Sequence, residues 1–303
     1  MKKIIVTGAT SMIGIAVIEC ALNHDVEVFA IVNPSTSRLS RLPSYEKLHL
    51  IKCDISKLLF LSEISEFCDC FYHFAWSYTE KQTRDDPVLQ FRNVQYTLDA
   101  VNLALRCGCR KFIGAGSQAE YGIVDGRIDN NTKFYPQTSY GISKFAAGLL
   151  SRKLCKSYNM INIWARIFSV YGRFDNSDTM LDYAIRNFAK NEVAYFSEGS
   201  HKWDYLNEID AGRAFYLLGE KCNCSKEYRI ASGNSRMLIE FIKIVANEMN
   251  AGHLCKFVKR PSSTVYNLEA DITDLREDIG FIPEVSFEDG IKEMISYYKN
   301  NII

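Results

Sequence analysis

The chain has no surplus of either charge. Its 303 residues carry 36 lysines and arginines against 36 aspartates and glutamates, for a formal net charge of zero. That balance leaves nothing to draw it to nucleic acid or to a charged membrane surface, so no nucleic-acid partner is expected. No apolar run reaches the roughly 18 residues of a membrane-spanning helix, which sets aside a membrane role. Met1-Lys-Lys leads straight into a short strand and glycines, not into a signal-peptide pattern, and the expected location is the cytoplasm. The ten cysteines include no Cys-x-x-Cys pair and the five histidines no His-x-x-x-His pair. The pairs Cys68/Cys70, Cys107/Cys109 and Cys222/Cys224 lie among apolar segments and read as reduced thiols, so no metal is expected. Internal repeats, low-complexity segments and long linkers are missing as well.

What is present is an alternation of short apolar runs with longer helical patterns, in a chain that is 47% hydrophobic. Strands are expected at 3–7, 26–32, 49–53, 70–74, 111–115 and 161–166, with the clearest helices at 87–107 and 139–158. Strand-helix alternation of this kind specifies an α/β fold with a doubly wound parallel sheet, Rossmann-like, and a ligand at the carboxyl ends of the strands. Beyond residue 166 the pattern is less regular, with helices expected at 180–190 and 237–249 and a strand at 194–196. The expected organisation is a dinucleotide-binding core over 1–166 and a smaller substrate-binding lobe over 167–303, with 204–235 returning to the core sheet.

The first strand runs into Thr7-Gly8-Ala9-Thr10-Ser11-Met12-Ile13-Gly14 and then an apolar helical run to about Asn23. Such a strand-turn-helix presents backbone N–H groups and a helix N-terminus to a pyrophosphate. Gly8 would make the tight turn, and Gly14 would allow close helix-strand contact. Further along stand Ser117, Tyr140 and Lys144. A tyrosine four residues before a lysine shares a helical face with it, and an ammonium beside a phenol favours the ionised form of a group that titrates near ~10. Ser117, just after an expected strand, is placed to hydrogen-bond the same substrate oxygen. The three supply what is needed to move a proton alongside a hydride.

Together with Cys53-Asp54-Ile55, Tyr72-His73-Phe74-Ala75, Asn93 with Thr97, Gly116 to Gly122, Arg166 to Gly172, Trp203-Asp204-Tyr205 with Asp210, and Gly280 to Pro283, these segments resemble the extended short-chain dehydrogenase/reductases. The resemblance is to their NAD(P)-dependent nucleotide-sugar epimerase, dehydratase and ketoreductase group, and it covers essentially the whole chain. It implies cofactor contacts from Asp54, Ile55, Phe74, Ala75, Trp76 and Asn93, with His73 supporting cofactor packing. It also implies a nucleotide-sugar substrate met by Ser117, Gln118 and Ser169, and a homodimer through the two long helices. Arg173, Arg260 and Arg276 are candidate diphosphate partners, because a guanidinium offers paired donors to phosphate oxygens.

Departures from the family pattern carry the finer reading. Ser11 replaces the middle glycine of the fingerprint. Asn33 stands 19 residues after Gly14, where an acidic residue usually accepts hydrogen bonds from the ribose, and Ser35 to Arg38 follow. That neutral-to-basic loop suits a 2′-phosphate, favouring NADP(H) with NAD(H) as the alternative. Gln118 and Ala119 replace the Asp-Glu pair of the dehydratases, and Glu120 would point elsewhere. Ser169 stands where many of the epimerases have asparagine. The expected reaction is reduction of the 4-keto group of an NDP-4-keto-6-deoxy sugar. The alternatives are a 4-epimerase and, from another class, a noncatalytic nucleotide-binding protein with the same fold.

Overall fold

In a computed structural model that describes residues 1–64, 67–177, 179–258 and 267–301, the first half of the chain runs β1 (Lys3–Thr7), α1 (Met12–Asn23), β2 (Glu27–Val32), β3 (Leu48–Lys52), β4 (Cys70–His73), α2 (Pro87–Arg106), β5 (Lys111–Ser117), β6 (Arg127–Ile128), α3 (Ser139–Ser157) and β7 (Ile161–Ile167). The second half runs β8 (Ser169–Tyr171), α4 (Met180–Ala189), β9 (Ala194–Phe196), β10 (Lys202–Trp203), β11 (Tyr205–Asn207), α5 (Glu208–Lys221), β12 (Lys226–Ile230), β13 (Arg236–Met237), α6 (Leu238–Glu248), β14 (Cys255–Phe257), β15 (Glu269–Ala270), α7 (Thr273–Ile279) and α8 (Phe287–Asn301).

Seven strands form one parallel sheet in the order β12-β7-β5-β4-β1-β2-β3. Its inner strands read as unbroken apolar runs such as Ile4-Ile5-Val6, because helices cover both faces and neither side meets water. Helices α1 and α5 lie together on one face, and α2 and α3 together on the other. A second apolar cluster, built from α4, α6, α8 and β9, carries the other lobe. The order of the sheet reverses between β1 and β4, and ligand crevices of open α/β sheets form at that switch point.

Local sequence explains where the helices begin. Ser11, Thr138, Thr179 and Asn207 each cap a helix with a side-chain oxygen. Asp86 caps α2 through the Val88 and Leu89 N–H groups, with Pro87 preset for the first turn. One expectation for the second half changes. Within 204–235 only β12 joins the central sheet, while residues 208–221 form α5, whose Gly212 lies against Ala16 of α1. No described helix is long and apolar enough to cross a membrane. All ten cysteines are free thiols.

Candidate active site

The β1–α1 turn, the ends of β2, β4 and β5 and the start of α3 all lie toward the carboxyl edge of the sheet. At the end of β1, Gly8 has φ +66°, and a Cβ there would fall 2.6 Å from the Ala75 nitrogen, so the turn and the β4 loop touch backbone to backbone. At Gly14 a Cβ would lie 2.4 Å from the Gly8 carbonyl oxygen. The first-turn N–H groups of α1, at Met12 and Ile13, have no acceptor within the helix, and a helix N-terminus of this kind suits a pyrophosphate. Ser11 caps α1 by accepting the Gly14 N–H at 3.1 Å, so its side chain serves the helix. Gly8→Ala is expected to cost at least about 1 kcal/mol of stability, since an L-residue with positive φ is strained and its methyl has no space. Urea unfolding and a cofactor titration check this, and unchanged values for both would refute the close approach.

At the end of β2 the Asn33 side chain accepts from the Ser35 N–H at 2.9 Å and donates to Asp54 at 3.2 Å. Asp54 also accepts from the Ser56 N–H and hydroxyl, and these bonds hold its carboxyl below the usual range. Ile55 starts the following turn and lies against the apolar cluster under α2. Arg38 is exposed, and the half-buried Phe74 ring meets Phe215 edge-on at 4.8 Å. His73 is buried between the Thr7 and Thr97 hydroxyls, and burial followed by the Lys144 charge brings it down to about 3. It is a neutral packing residue.

Asn93 acts one step back from any ligand. Its amide takes the Ser77 N–H at 2.8 Å and donates to the Ser77 carbonyl at 3.1 Å. Gln90, which the sequence did not single out, receives the Trp76 indole N–H at 2.9 Å and donates to the Tyr78 and Thr83 carbonyls. The two residues clamp the loop between β4 and α2 from below.

Ser117 ends β5 and Tyr140 lies in the first turn of α3, with the Ser117 side chain placed where it favours the ionised form of the Tyr140 phenol. Lys144 lies one turn along α3, buried, donating to the Ala115 carbonyl at 2.8 Å with its Nζ 3.7 Å from the Trp76 ring centroid. Burial, against the pull of Glu120 and with the push of Arg84, brings it to about 7. Here the sequence expectation is corrected. Burial pushes the Tyr140 phenol up rather than leaving it lowered, and Arg84, whose guanidinium carbon stands 4.1 Å from the ring centroid, pulls it part of the way back. Lys144 is 5.9 Å from that centroid and is held by the carbonyl and the indole.

Glu120 is fully buried below this pair. It accepts from the Ser117 N–H at 2.8 Å, the Trp164 indole at 3.0 Å and Arg166 Nε at 2.7 Å. It supports the serine turn from beneath and does not face a substrate. Gln118 sits half-buried on that turn.

A cleft of about 870 Å³ opens beside Arg84, lined by Lys81, Thr179, Tyr183, Phe196 and Ile242 among others. Its volume suits a small ligand. Half-buried Asp175 borders the same region and is pushed up to about 7 by burial, against hydrogen bonds from the Asn176 N–H and the Thr179 hydroxyl. Two candidate substrate residues are placed differently from expectation. Arg173 is engaged by two carboxylates, Glu19 at 2.6 Å and Glu208 at 2.5 Å, so it is no free phosphate donor. Arg276 is exposed on α7, which lies against α5 and β12. Ser169 stands opposite Tyr205 in the register of β8 with β11, and Arg260 lies outside the described residues. Among the described residues no group of three or more His, Cys, Asp or Glu could hold a metal ion.

The family model for the NAD dependent epimerase/dehydratase family matches residues 4–231. The dTDP-glucose 4,6-dehydratase of Streptomyces niveus is 21% identical over 313 residues, covering 99% of this chain and 93% of that protein. The structure of a UDP-N-acetylglucosamine 4-epimerase from Methanobrevibacter ruminantium, solved with UDP-N-acetylmuramic acid, superposes with a TM-score of 0.87 at 20% identity, over 99% of each chain. A dTDP-glucose 4,6-dehydratase from Streptomyces venezuelae, solved with NAD, gives 0.86 at 19% identity, over 99% of this chain and 97% of that one.

Proposed function

Because this chain belongs to the NAD dependent epimerase/dehydratase family, we propose that it carries out nicotinamide-dependent oxidoreduction on a nucleotide-linked sugar, reducing the 4-keto group of an NDP-4-keto-6-deoxy sugar. The observation that carries this reading is the gathering of Ser117, the buried Tyr140 phenol and Lys144 at the carboxyl edge of the sheet, with an open cleft beside Arg84. The nicotinamide, when bound, supplies the hydride. Tyr140 gives its proton to the oxygen that becomes the alcohol, Ser117 hydrogen-bonds the same oxygen as charge develops, and Lys144 would hold the nicotinamide ribose. The residues after Ser117, Gln118 and Ala119, offer no acid for eliminating water, and Glu120 is buried among donors. Both features support oxidoreduction over dehydration.

NADPH is the proposed donor. The only full charge in the loop from Asn33 to Arg38 is the exposed guanidinium, and the Asp54 carboxylate is engaged by Asn33 and Ser56. Arg38→Ala is expected to weaken NADPH roughly ten- to a hundredfold, the effect of losing a charge-assisted phosphate contact worth about 1.5 to 3 kcal/mol, and to leave NADH affinity unchanged. Titrating both cofactors into wild type and variant checks it. Equal weakening of the two, or a wild type that prefers NADH, would overturn the choice.

The lobe of α4, α6 and α8 is proposed to take the nucleotide, and the cytoplasm is the proposed location. The apolar residues that α2 and α3 expose, Val88, Phe91, Ile142 and Leu149, support a homodimer through those helices. The reaction itself is tested by mixing the protein with NADPH and nucleotide-linked 4-keto sugars. The expected result is stoichiometric loss of reduced-nicotinamide absorbance with formation of one alcohol. Copurified nicotinamide that stays bound while two sugar nucleotides interconvert would replace reduction with 4-epimerisation.

A further inference from the structure

The turn that follows β2 sorts its side chains by a spacing of three. Residues Leu39–Arg41 form a short 3₁₀ turn, closed by the Arg41 N–H on the Arg38 carbonyl and the Leu42 N–H on the Leu39 carbonyl, both at 3.1 Å. Side chains three apart on such a turn lie one above the other. Leu39 and Leu42 therefore share one face, which packs against the main apolar cluster, and Arg38 and Arg41 share another. The turn is wired back to the end of β2, since the Thr36 N–H donates to the Asn33 carbonyl at 3.0 Å and the Thr36 hydroxyl accepts the Arg38 N–H at 3.2 Å. Among the described residues neither guanidinium forms an ion pair.

The substrate lobe supplies a seat for Arg41. Phe174, in the loop after β8, presents its ring to the Arg41 guanidinium, whose carbon stands 4.9 Å from the ring centroid, and Tyr297 of α8 meets the same ring edge-on at 5.2 Å. Arg173, 5.6 Å from that centroid, fixes the loop by holding Glu19 of α1 at 2.6 Å and Glu208 of α5 at 2.5 Å, and both carboxylates are thereby engaged. A guanidinium over a ring face keeps its N–H groups free around its edge, and that planar fork of donors suits phosphate oxygens. Burial, and then the Arg38 charge, hold Arg41 below the ordinary guanidinium range, as two cations on one face do. We propose that Arg41, seated on Phe174, is the second guanidinium of the site for the cofactor 2′-phosphate, so that both lobes build the preference for NADPH. The proposal rests on the reading of Arg38 as a 2′-phosphate residue. Two like charges on one face repel, and a phosphate between them replaces that repulsion with attraction. Arg41 is then a binding residue and Phe174 a positioning residue.

Cofactor titration reads the site and needs no sugar substrate. Arg41→Ala is expected to weaken NADPH about tenfold and to leave NADH unchanged, the loss of one charge-assisted phosphate contact. Phe174→Leu, which keeps an apolar side chain and removes the ring face, should weaken NADPH by a smaller factor, and Phe174→Tyr should restore it. With Arg38 and Arg41 both replaced by alanine, the protein should hold NADPH no better than NADH. Adenosine 2′,5′-bisphosphate set against AMP isolates the 2′-phosphate, and Arg41→Ala should weaken the first alone. Equal weakening of NADPH and NADH by Arg41→Ala, or no change in either, would overturn the proposal, and Phe174→Leu acting alike on both cofactors would remove the ring from it. Failure of the underlying cofactor reading shows separately and first, as a wild type that prefers NADH, and it would overturn both.

Discussion

Tyr140→Phe is expected to lower turnover by about 100- to 10,000-fold while nucleotide and sugar binding stay near wild type, because a positioned acid contributes that much to a rate. The ring keeps its edge contact with Trp76 and its place under Arg84, so only the hydroxyl is removed. Burial pushes this phenol up, which keeps it protonated through neutrality and suits it to donate in the reductive direction. Ser117→Ala should cost a similar or smaller factor, since the oxygen then keeps its proton donor and loses one hydrogen bond. Single-turnover kinetics with reduced cofactor already bound separates chemistry from product release. A Phe variant within a few-fold of wild type in that measurement would remove Tyr140 from the donor role.

The second large effect is on stability and comes from Glu120, which makes no contact with the cleft. Glu120→Ala strips the acceptor from the Ser117 N–H, the Trp164 indole and Arg166 Nε together, all of them buried. Removing one partner of a buried ion pair costs about 3 to 5 kcal/mol, and the lower end is expected because Arg166 keeps Glu227 at 2.6 Å. The midpoint of urea unfolding measures it. Turnover of the folded fraction should fall as well, since the serine turn rests on this carboxylate. A loss below about 1 kcal/mol would mean that the carboxylate does not hold the turn. Glu120→Gln, which keeps the shape and one acceptor oxygen, should lie between the two.

The strands of the central sheet and the long helices within the first 166 residues were legible within a residue or two, because each is a short local signal. Unbroken β-branched and aliphatic runs make doubly covered strands, and Ser11, Asp86 with Pro87, and Thr138 announce helix starts. The second half and the two-residue strand β6 were harder to read. Short strand pairs such as β8 with β11 and β6 with β15 hold two or three residues each, and their partners are 30 or more residues away. Residues 208–221 were expected to return to the sheet as part of 204–235. They pack on it as a helix instead, a distinction that an apolar run alone does not make.

For the site, the sequence by itself determined the parts whose role follows from residue type and nearby spacing. Gly8 and Gly14 make a turn that no side chain could fit, Ser117 ends a strand, and Tyr140 and Lys144 share a helical face. Only the tertiary structure decided which charges meet. It drew Arg173 to Glu19 and Glu208, turned Glu120 beneath Ser117 toward Trp164 and Arg166, and brought Arg84 over Tyr140 from a loop 56 residues away in the chain. The physical reason is range. Backbone geometry and helical spacing act over a few residues and are written in the local sequence, whereas a charged side chain on a loop takes its partner from whatever the folded chain places within a few ångströms.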